Sequence, residues 1–480
     1  MNTTIVLILA AYVLITMLLA LITARQNKTA SDLLTADGSL GVTLIIPLML
    51  SEAIGGSGTV GSASEAMATI GMAGVWTVWG VAIGFMAYRF LFGKFYRILY
   101  LTRRIISIPG AYELRFDKKT KIMMLIVVSI VYICFFALQP VAAASVLAPM
   151  LGVSKSMMVM VLGVLFVVIS ALGGLKGIAS MNKLHSFVLI AGLGAVSIAA
   201  VRYAGGWGEI IANVPDQYLN PFNPGIRKVL VWAVSGLLAQ LSSAFLTTVI
   251  SAGKSYRDVK TGIDITSLLL MIFAFFPVVI GIVGRAVMPE ADPATALYTV
   301  SANVNPVLGG ISAAAVLAAI FSSAPAFLLI VTTTFTKDLY KGFLKPGATE
   351  KDLLVASKIF TFVAGLAAVY MATQISSIFN QTMKIIQIRA VAAIVLLISL
   401  VWPRVNGRSA FWSILCGGTV AIIWYFMKTP PFTPDPLLPS VLVGILVLVI
   451  VTLQNKEKVS EGYRTYRKLK TEYEQMGDDH

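Results

Sequence analysis

The sequence predicts an all-α integral membrane protein with about 13 transmembrane helices, and three observations carry that expectation. Of 480 residues, 58% are hydrophobic and only 12% are charged. A soluble domain has about twice that charged fraction, so several soluble domains could not cover their surfaces. The apolar residues gather into long runs, and a helix of about 20 of them spans a hydrocarbon core about 30 Å thick with its backbone groups paired. The charges lie between the runs, so the net +15 reports position in the membrane and not a nucleic-acid partner.

Thirteen runs follow in order. The first, 3–24, opens behind Met1 and Asn2 with no basic leader segment and no convincing cleavage site, and reads as a retained helix. Runs at 41–67, 72–99, 122–151, 156–175 and 178–201 come next. The segment from Tyr203 to Lys228 carries Gly205, Gly206, Pro215, Pro221 and Pro224 between short amphipathic stretches. It is expected to be an external loop with a lid-like surface helix. Runs at 229–252, 262–287, 306–336, 352–374, 377–402, 409–427 and 436–454 complete the set. Residues 1–455 thus read as one membrane domain, and 456–480 as a basic tail. The tail mixes Lys, Arg, Glu and Tyr at helix-compatible spacing and reads as a solvated stop-transfer helix, with resting on anionic lipid as the alternative. Cys134 and Cys416 lie inside runs, too few for a disulfide framework, and read as small core residues.

Orientation follows from the basic residues, because translocated loops are poor in Lys and Arg. One set of alternate loops carries Arg25 and Lys28, the group from Lys94 through Arg103, Arg104, Arg115, Lys118 and Lys119 to Lys121, then Lys176, then Lys254, Arg257 and Lys260. It continues with Lys337, Lys341, Lys345, Lys351, Arg404, Arg408 and the basic tail. The other set carries only Lys155, Arg202, Arg227, Lys228, Arg285 and Lys428. The N-terminus is therefore expected outside and the tail inside a cell membrane.

Enzyme chemistry is not expected. The sequence has no P-loop, G-x-S-x-G or HExxH, and His185 with two separated cysteines makes no metal-ligand cluster. The informative residues are polar groups and breaks inside apolar helices, both costly in lipid. Within the second run stands Ser51-Glu52-Ala53-Ile54-Gly55-Gly56-Ser57-Gly58. Each glycine weakens the helix by about 1 kcal/mol relative to alanine, and unwinding here frees carbonyls at mid-membrane depth, hard ligands suited to Na⁺. Close helix packing through small residues is the competing use of such glycines. The ninth run offers Ser322 and Ser323, with the carbonyl of Ala319 one turn back and Pro325 expected to kink the helix at Phe321. Serines bonding back to their own helix are the plainer reading.

At these residues the chain resembles the sodium/solute symporters, the family that includes prokaryotic proline and sugar symporters. The resemblance covers nearly the whole chain. It rests on the thirteen-run plan, on Ile169-Ser170-Ala171-Leu172-Gly173-Gly174-Leu175, on Glu113-Leu114-Arg115-Phe116, and on Ser322-Ser323 followed by Thr336-Lys337-Asp338-Leu339-Tyr340. It implies a LeuT-like core of two inverted five-helix repeats, about 41–201 and 229–402, with the first run and those at 409–454 peripheral. It also implies one sodium held by carbonyls of Ser51, Ile54 and Ala319 and hydroxyls of Ser322 and Ser323. Some relatives carry an aspartate, where this chain has Asn182, that helps hold a second sodium; that second site is not expected here. Proline-transporting relatives carry a carboxylate at the break where this chain has Ala53 beside Glu52, so proline specificity does not carry over.

The remaining intramembrane charges bear on the solute. The run 377–402 contains Gln381, Lys384, Gln387 and Arg389, and Arg389 lies about 20 Å from Trp402 at the inner end. A planar guanidinium at that depth needs a partner and suits a carboxylate. One reading has Arg389 binding a small anionic solute oriented by Gln139 and Gln240, with Glu52 and Gln381 as further solute contacts; the other has Arg389 paired with Glu52 to hold the bundle together. Lys384 is expected to snorkel outward. The function expected is sodium-coupled import of a small organic solute by alternating access. A proton-coupled carrier using Glu52 and a sensory membrane domain are the alternatives.

Overall fold

The computed structural model describes residues 3–476 except 25–28, 30–32, 35, 376, 428, 430, 432 and 434. Arg25, Lys28 and Lys428, used above for orientation, lie outside the described residues. The described chain is helical, with one isolated parallel bridge between Leu40 and Gly253.

All thirteen apolar runs are helical. In chain order the principal helices are α1 (Thr3–Ala24), α2 (Val42–Ala53), α3 (Trp76–Tyr88), α4 (Lys94–Arg103), α5 (Ile108–Arg115) and α6 (Lys118–Leu151). Then come α7 (Lys155–Tyr203), α8 (Ile226–Leu241), α9 (Ala244–Ala252), α10 (Tyr256–Phe273), α11 (Phe275–Val287) and α12 (Pro306–Thr333). The chain closes with α13 (Glu350–Ala372), α14 (Ile378–Ile388), α15 (Ala390–Val401), α16 (Gly407–Phe426), α17 (Leu437–Leu453) and α18 (Glu461–Met476). Among the described residues nine helices are long and apolar enough to cross a membrane, ten if α8 and α9, bent by 44°, count as one span. Expected runs 156–175 and 178–201 are both within α7, which breaks at Gly174 (φ 61°, ψ 168°).

Helix α12 is the axis of the bundle. Asn305 caps its start by accepting from the Val307 amide, with Pro306 in the first turn where no donor is missed. It is buried from Ser312 to Thr333, continues through Pro325, and packs against α7, α6, α13 and α2. Large apolar side chains left exposed, such as Leu442, Leu446 and Ile450 on α17 and Ile359, Val363 and Leu366 on α13, form faces that suit lipid.

The segment expected to carry a surface helix does so, with a short helix at Trp207–Asn213 and a 3₁₀ turn at Asp216–Leu219. It is fastened to the join between the second and third runs, where Tyr218 donates to the Ala68 carbonyl at 2.7 Å and Trp76 donates to the Pro221 carbonyl at 3.0 Å.

The tail departs from expectation. Helix α18 does not stand in solvent; it docks on α4 and α5, because one stripe of it is aromatic and apolar while the rest is charged. Leu469 and Tyr473 are buried and Tyr466 packs on Phe95 with ring centroids 5.0 Å apart.

Candidate functional site

Three helix breaks meet at one place. Helix α2 stops at Ile54, and π turns at Ser57–Gly61 and Ala66–Ile70 flank a single α turn before α3. The α8–α9 bend falls at Ser242 and Ser243, and Ser243 caps α9 by accepting from the Leu246 amide at 3.2 Å. The α14–α15 break falls at Arg389 (φ −90°, ψ −3°). Side chains tie the breaks together: the Ser242 hydroxyl donates to the Arg389 carbonyl at 3.1 Å, and the Ser243 hydroxyl donates to Glu52 Oε1 at 2.8 Å. Each break frees backbone groups that must find partners in the protein, since lipid offers none.

On one side of the α2 break lies a cluster of neutral oxygens. The Ser323 hydroxyl lies within bonding reach of the Ser51 carbonyl and of the Ala319 carbonyl, the latter at 2.7 Å. The Ser322 hydroxyl donates to the same Ala319 carbonyl at 2.8 Å. Ile54 caps α2 and precedes Gly55, where a β-carbon would stand 2.9 Å from Ser323 Oγ. Glycine is what lets the break approach α12 so closely. The structure thus brings Ser51, Ala319, Ser322 and Ser323 together, with Ile54 on the adjoining turn. Carbonyl and hydroxyl oxygens of this kind fit a small hard cation. Asn182 is fully buried with neither amide atom hydrogen-bonded.

On the other side of the break is a cavity of about 50 Å³ lined by Glu52, Gln139, Gln240 and Arg389 together with Phe135, Phe327 and Phe379, room for a few waters. Arg389 and Glu52 are not a direct ion pair. Tyr132 stands between them: its hydroxyl accepts from an Arg389 terminal nitrogen at 3.2 Å and from the Phe245 amide at 3.1 Å, and donates to Glu52 Oε1 at 3.3 Å. The guanidinium carbon also lies 5.7 Å from the Tyr132 ring centre and 5.6 Å from that of Phe135, an attraction that strengthens away from water. Three buried atoms facing this region have no hydrogen-bond partner: Arg389 Nε, Glu52 Oε2 and Gln240 Oε1.

Two expected solute contacts have protein partners of their own. Gln139 is occupied at the break, accepting from the Gly56 amide at 3.0 Å and donating to the Phe135 carbonyl at 2.9 Å, so it holds the backbone open although it also lines the cavity. Gln381 accepts from the Tyr425 hydroxyl on α16 and is not part of the cavity lining. Lys384 likewise faces Tyr425, its ammonium 5.1 Å from the ring centre. Sequence reasoning missed Tyr132 and Ser243; the adjacent serines at 242–243 inside an apolar run were the available signal for the second.

The sodium:solute symporter family model matches residues 33–417. The high-affinity proline transporter PutP of Bacillus subtilis is 24% identical over 438 residues, covering 84% of this chain and 89% of that protein. The sodium/glucose cotransporter of Vibrio parahaemolyticus is 24% identical over 406 residues, covering 75% and 74% respectively. A solved structure of a Na⁺-coupled sialic acid symporter, in a substrate-bound outward-open state, superposes with a TM-score of 0.79 at 15% identity, covering 96% of this chain and 99% of that one. The fold is that of LeuT-like transporters.

Proposed function

From the chain's membership in the sodium:solute symporter family, which makes it a multi-pass, sodium-coupled membrane symporter and not an enzyme, we propose that its solute is a small molecule carrying both a carboxylate and an ammonium or imino group. The observation that carries this reading is the trio of unpartnered atoms around one cavity: a guanidinium donor at Arg389, a carboxylate acceptor at Glu52 and an amide acceptor at Gln240. Each such atom left dry costs about 1–3 kcal/mol. A simple carboxylate answers Arg389 and leaves the two acceptors unmet. A zwitterion answers all three and adds no net charge to a site where Arg389 and Glu52 already balance through Tyr132.

The cation site is Ser51, Ile54, Ala319, Ser322 and Ser323, and it adjoins the solute site because Ser51 and Glu52 are neighbours in the chain. Bound Na⁺ supplies positive charge between the α2 break and α12. Drawing those carbonyls and hydroxyls together sets the α2 break, and with it the Glu52 carboxylate, in the geometry the solute meets. Gln139 holds the Gly56 amide so that the break does not rewind. Inward movement of one positive charge contributes about 2.3 kcal/mol per 100 mV of membrane potential. The basic loops and tail face the cytoplasm and the N-terminus faces out, with the thirteen runs as spans, ten of them in two inverted five-helix repeats and the first and last two peripheral.

The test is a competition panel in proteoliposomes, with labelled proline and alanine as probes and acetate, lactate and glucose as competitors. Sodium-dependent uptake of an amino or imino acid that the other three do not inhibit supports the reading. Equal inhibition by a monocarboxylate without an amine overturns it.

A further inference from the structure

On the cytoplasmic face a cleft of about 870 Å³ lies between the segment 100–114 and the inner continuation of α12 at 337–341. Its base is tied shut. The Ser107 hydroxyl donates to Asp338 Oδ1 at 3.0 Å, and Lys121 bonds Glu113 at 2.7 Å while lying 3.9 Å from Asp338. Thr336, two residues before Asp338, is fully buried and its hydroxyl has no partner. For ligands to leave inward, this wall must part from α12 and wet the region around Thr336.

The same wall is gripped by the tail. Arg115, fully buried, donates to the Ser399 and Val405 carbonyls and, at 3.3 Å, to the hydroxyl of Ser460, the residue just before α18. Its guanidinium carbon lies 5.5 Å from the Tyr463 ring centre. Burial brings its pKa down to about 10, so it stays cationic at neutral pH and keeps all its donors. Gly462 lies so close to the Arg115 carbonyl that a β-carbon would stand 1.9 Å from that oxygen. Further along α18, Tyr466 packs on Phe95 of α4, and Glu472 pairs with Arg103 at 3.5 Å.

We propose that α18 is an intramolecular strap on the cytoplasmic gate: docked through Gly462, Tyr463 and Tyr466, it holds α4 and α5 against the inner end of α12, and inward opening is limited by its release. The geometry carries this because the strap's contacts and the gate's contacts are made by one segment, 94–116, with Arg103 both lining the cleft and pairing with Glu472. The segment cannot swing away from Asp338 without pulling on Arg115 and hence on Ser460 to Tyr466. Such a contact restrains the gate only in the conformation where both are formed, so loosening it shifts the population towards the open inner face.

The test reads gate exposure and needs no solute. Thr336→Cys, in a background lacking Cys134 and Cys416, is labelled with a membrane-impermeant maleimide in inside-out vesicles. Labelling is compared for the intact tail, Gly462→Leu and a chain ending at Asn455. With the strap displaced, labelling accelerates by about fivefold or more; equal rates in all three overturn the proposal. Should the truncated chain fail to insert, a second measurement decides: Arg103→Cys with Glu472→Cys, joined by a short bifunctional maleimide after insertion. The joined protein should label at Thr336→Cys, blocked until then by a reversible disulfide cap, at least fivefold more slowly than either single cysteine variant. No cross-linking, or cross-linking without slowing, equally overturns the proposal.

Discussion

Replacing Ser323 with alanine is the sharpest perturbation of the cation site. Its hydroxyl joins the Ala319 carbonyl, at 2.7 Å, to the Ser51 carbonyl across the α2–α12 contact, 272 residues apart in sequence. Removing it takes one oxygen from the proposed coordination shell and leaves the Ser51 carbonyl without that donor. Ligation of a cation by a hydroxyl oxygen is an ion–dipole contact comparable with a hydrogen bond to a charged group, about 1.5–3 kcal/mol, and 1.4 kcal/mol is tenfold in affinity. The half-saturating sodium concentration should therefore rise about 10- to 150-fold by this arithmetic. The assay is sodium titration of solute uptake in proteoliposomes, with Ser129→Ala as the control. Ser129 is also buried, but it bonds only the Leu125 carbonyl of its own helix at 2.7 Å, and its loss should leave the titration where it was. A change of less than about twofold for Ser323→Ala would mean that the serine packs helices and does not meet the ion; a change of this size is well below the contribution of one ligand.

Three further outcomes follow from the same geometry. Gly55→Ala places a β-carbon 2.9 Å from Ser323 Oγ and 3.0 Å from Gln139 Oε1, so sodium dependence should weaken by about tenfold or more while expression changes little; sodium titration checks it. Arg389→Gln leaves Tyr132 and Glu52 without their cation, and uptake of a carboxylate-bearing solute should fall about 100-fold, measured as initial rate across the competition panel; an unchanged rate and profile would sink the solute assignment. Gln139→Leu strands the Gly56 amide at the break and should cost about 1–3 kcal/mol of stability, read from thermal unfolding of the purified protein in detergent.

Much of this architecture can be read from sequence because the bilayer imposes simple rules. Apolar run length shows in composition, and glycines at 55, 56 and 58 point to a break or to close helix packing; the structure shows both, with the helix stopping at Ile54 and Gly56 lying against Ala142. The interior of the site is less legible. Tyr132 sits in an apolar run where an aromatic residue reads as core, and only the fold reveals that its hydroxyl lies between Arg389 and Glu52. Gln139 and Gln381 were indistinguishable in sequence, since both are amides inside apolar helices; one caps the break and the other faces Tyr425. The tail offered a signal that its charges obscured. Tyr463, Tyr466, Leu469 and Tyr473 recur at helical spacing and form the docking stripe, while Arg464, Lys468 and Lys470 remain exposed.

The most direct measurement counts sodium and solute in the same proteoliposomes. An inward Na⁺ gradient should drive accumulation of a labelled amino or imino acid, with ²²Na⁺ entering in fixed proportion, and both fluxes should fall together in Ser323→Ala. Accumulation that persists with choline in place of sodium under an imposed proton gradient would contradict sodium coupling and transfer the role to Glu52.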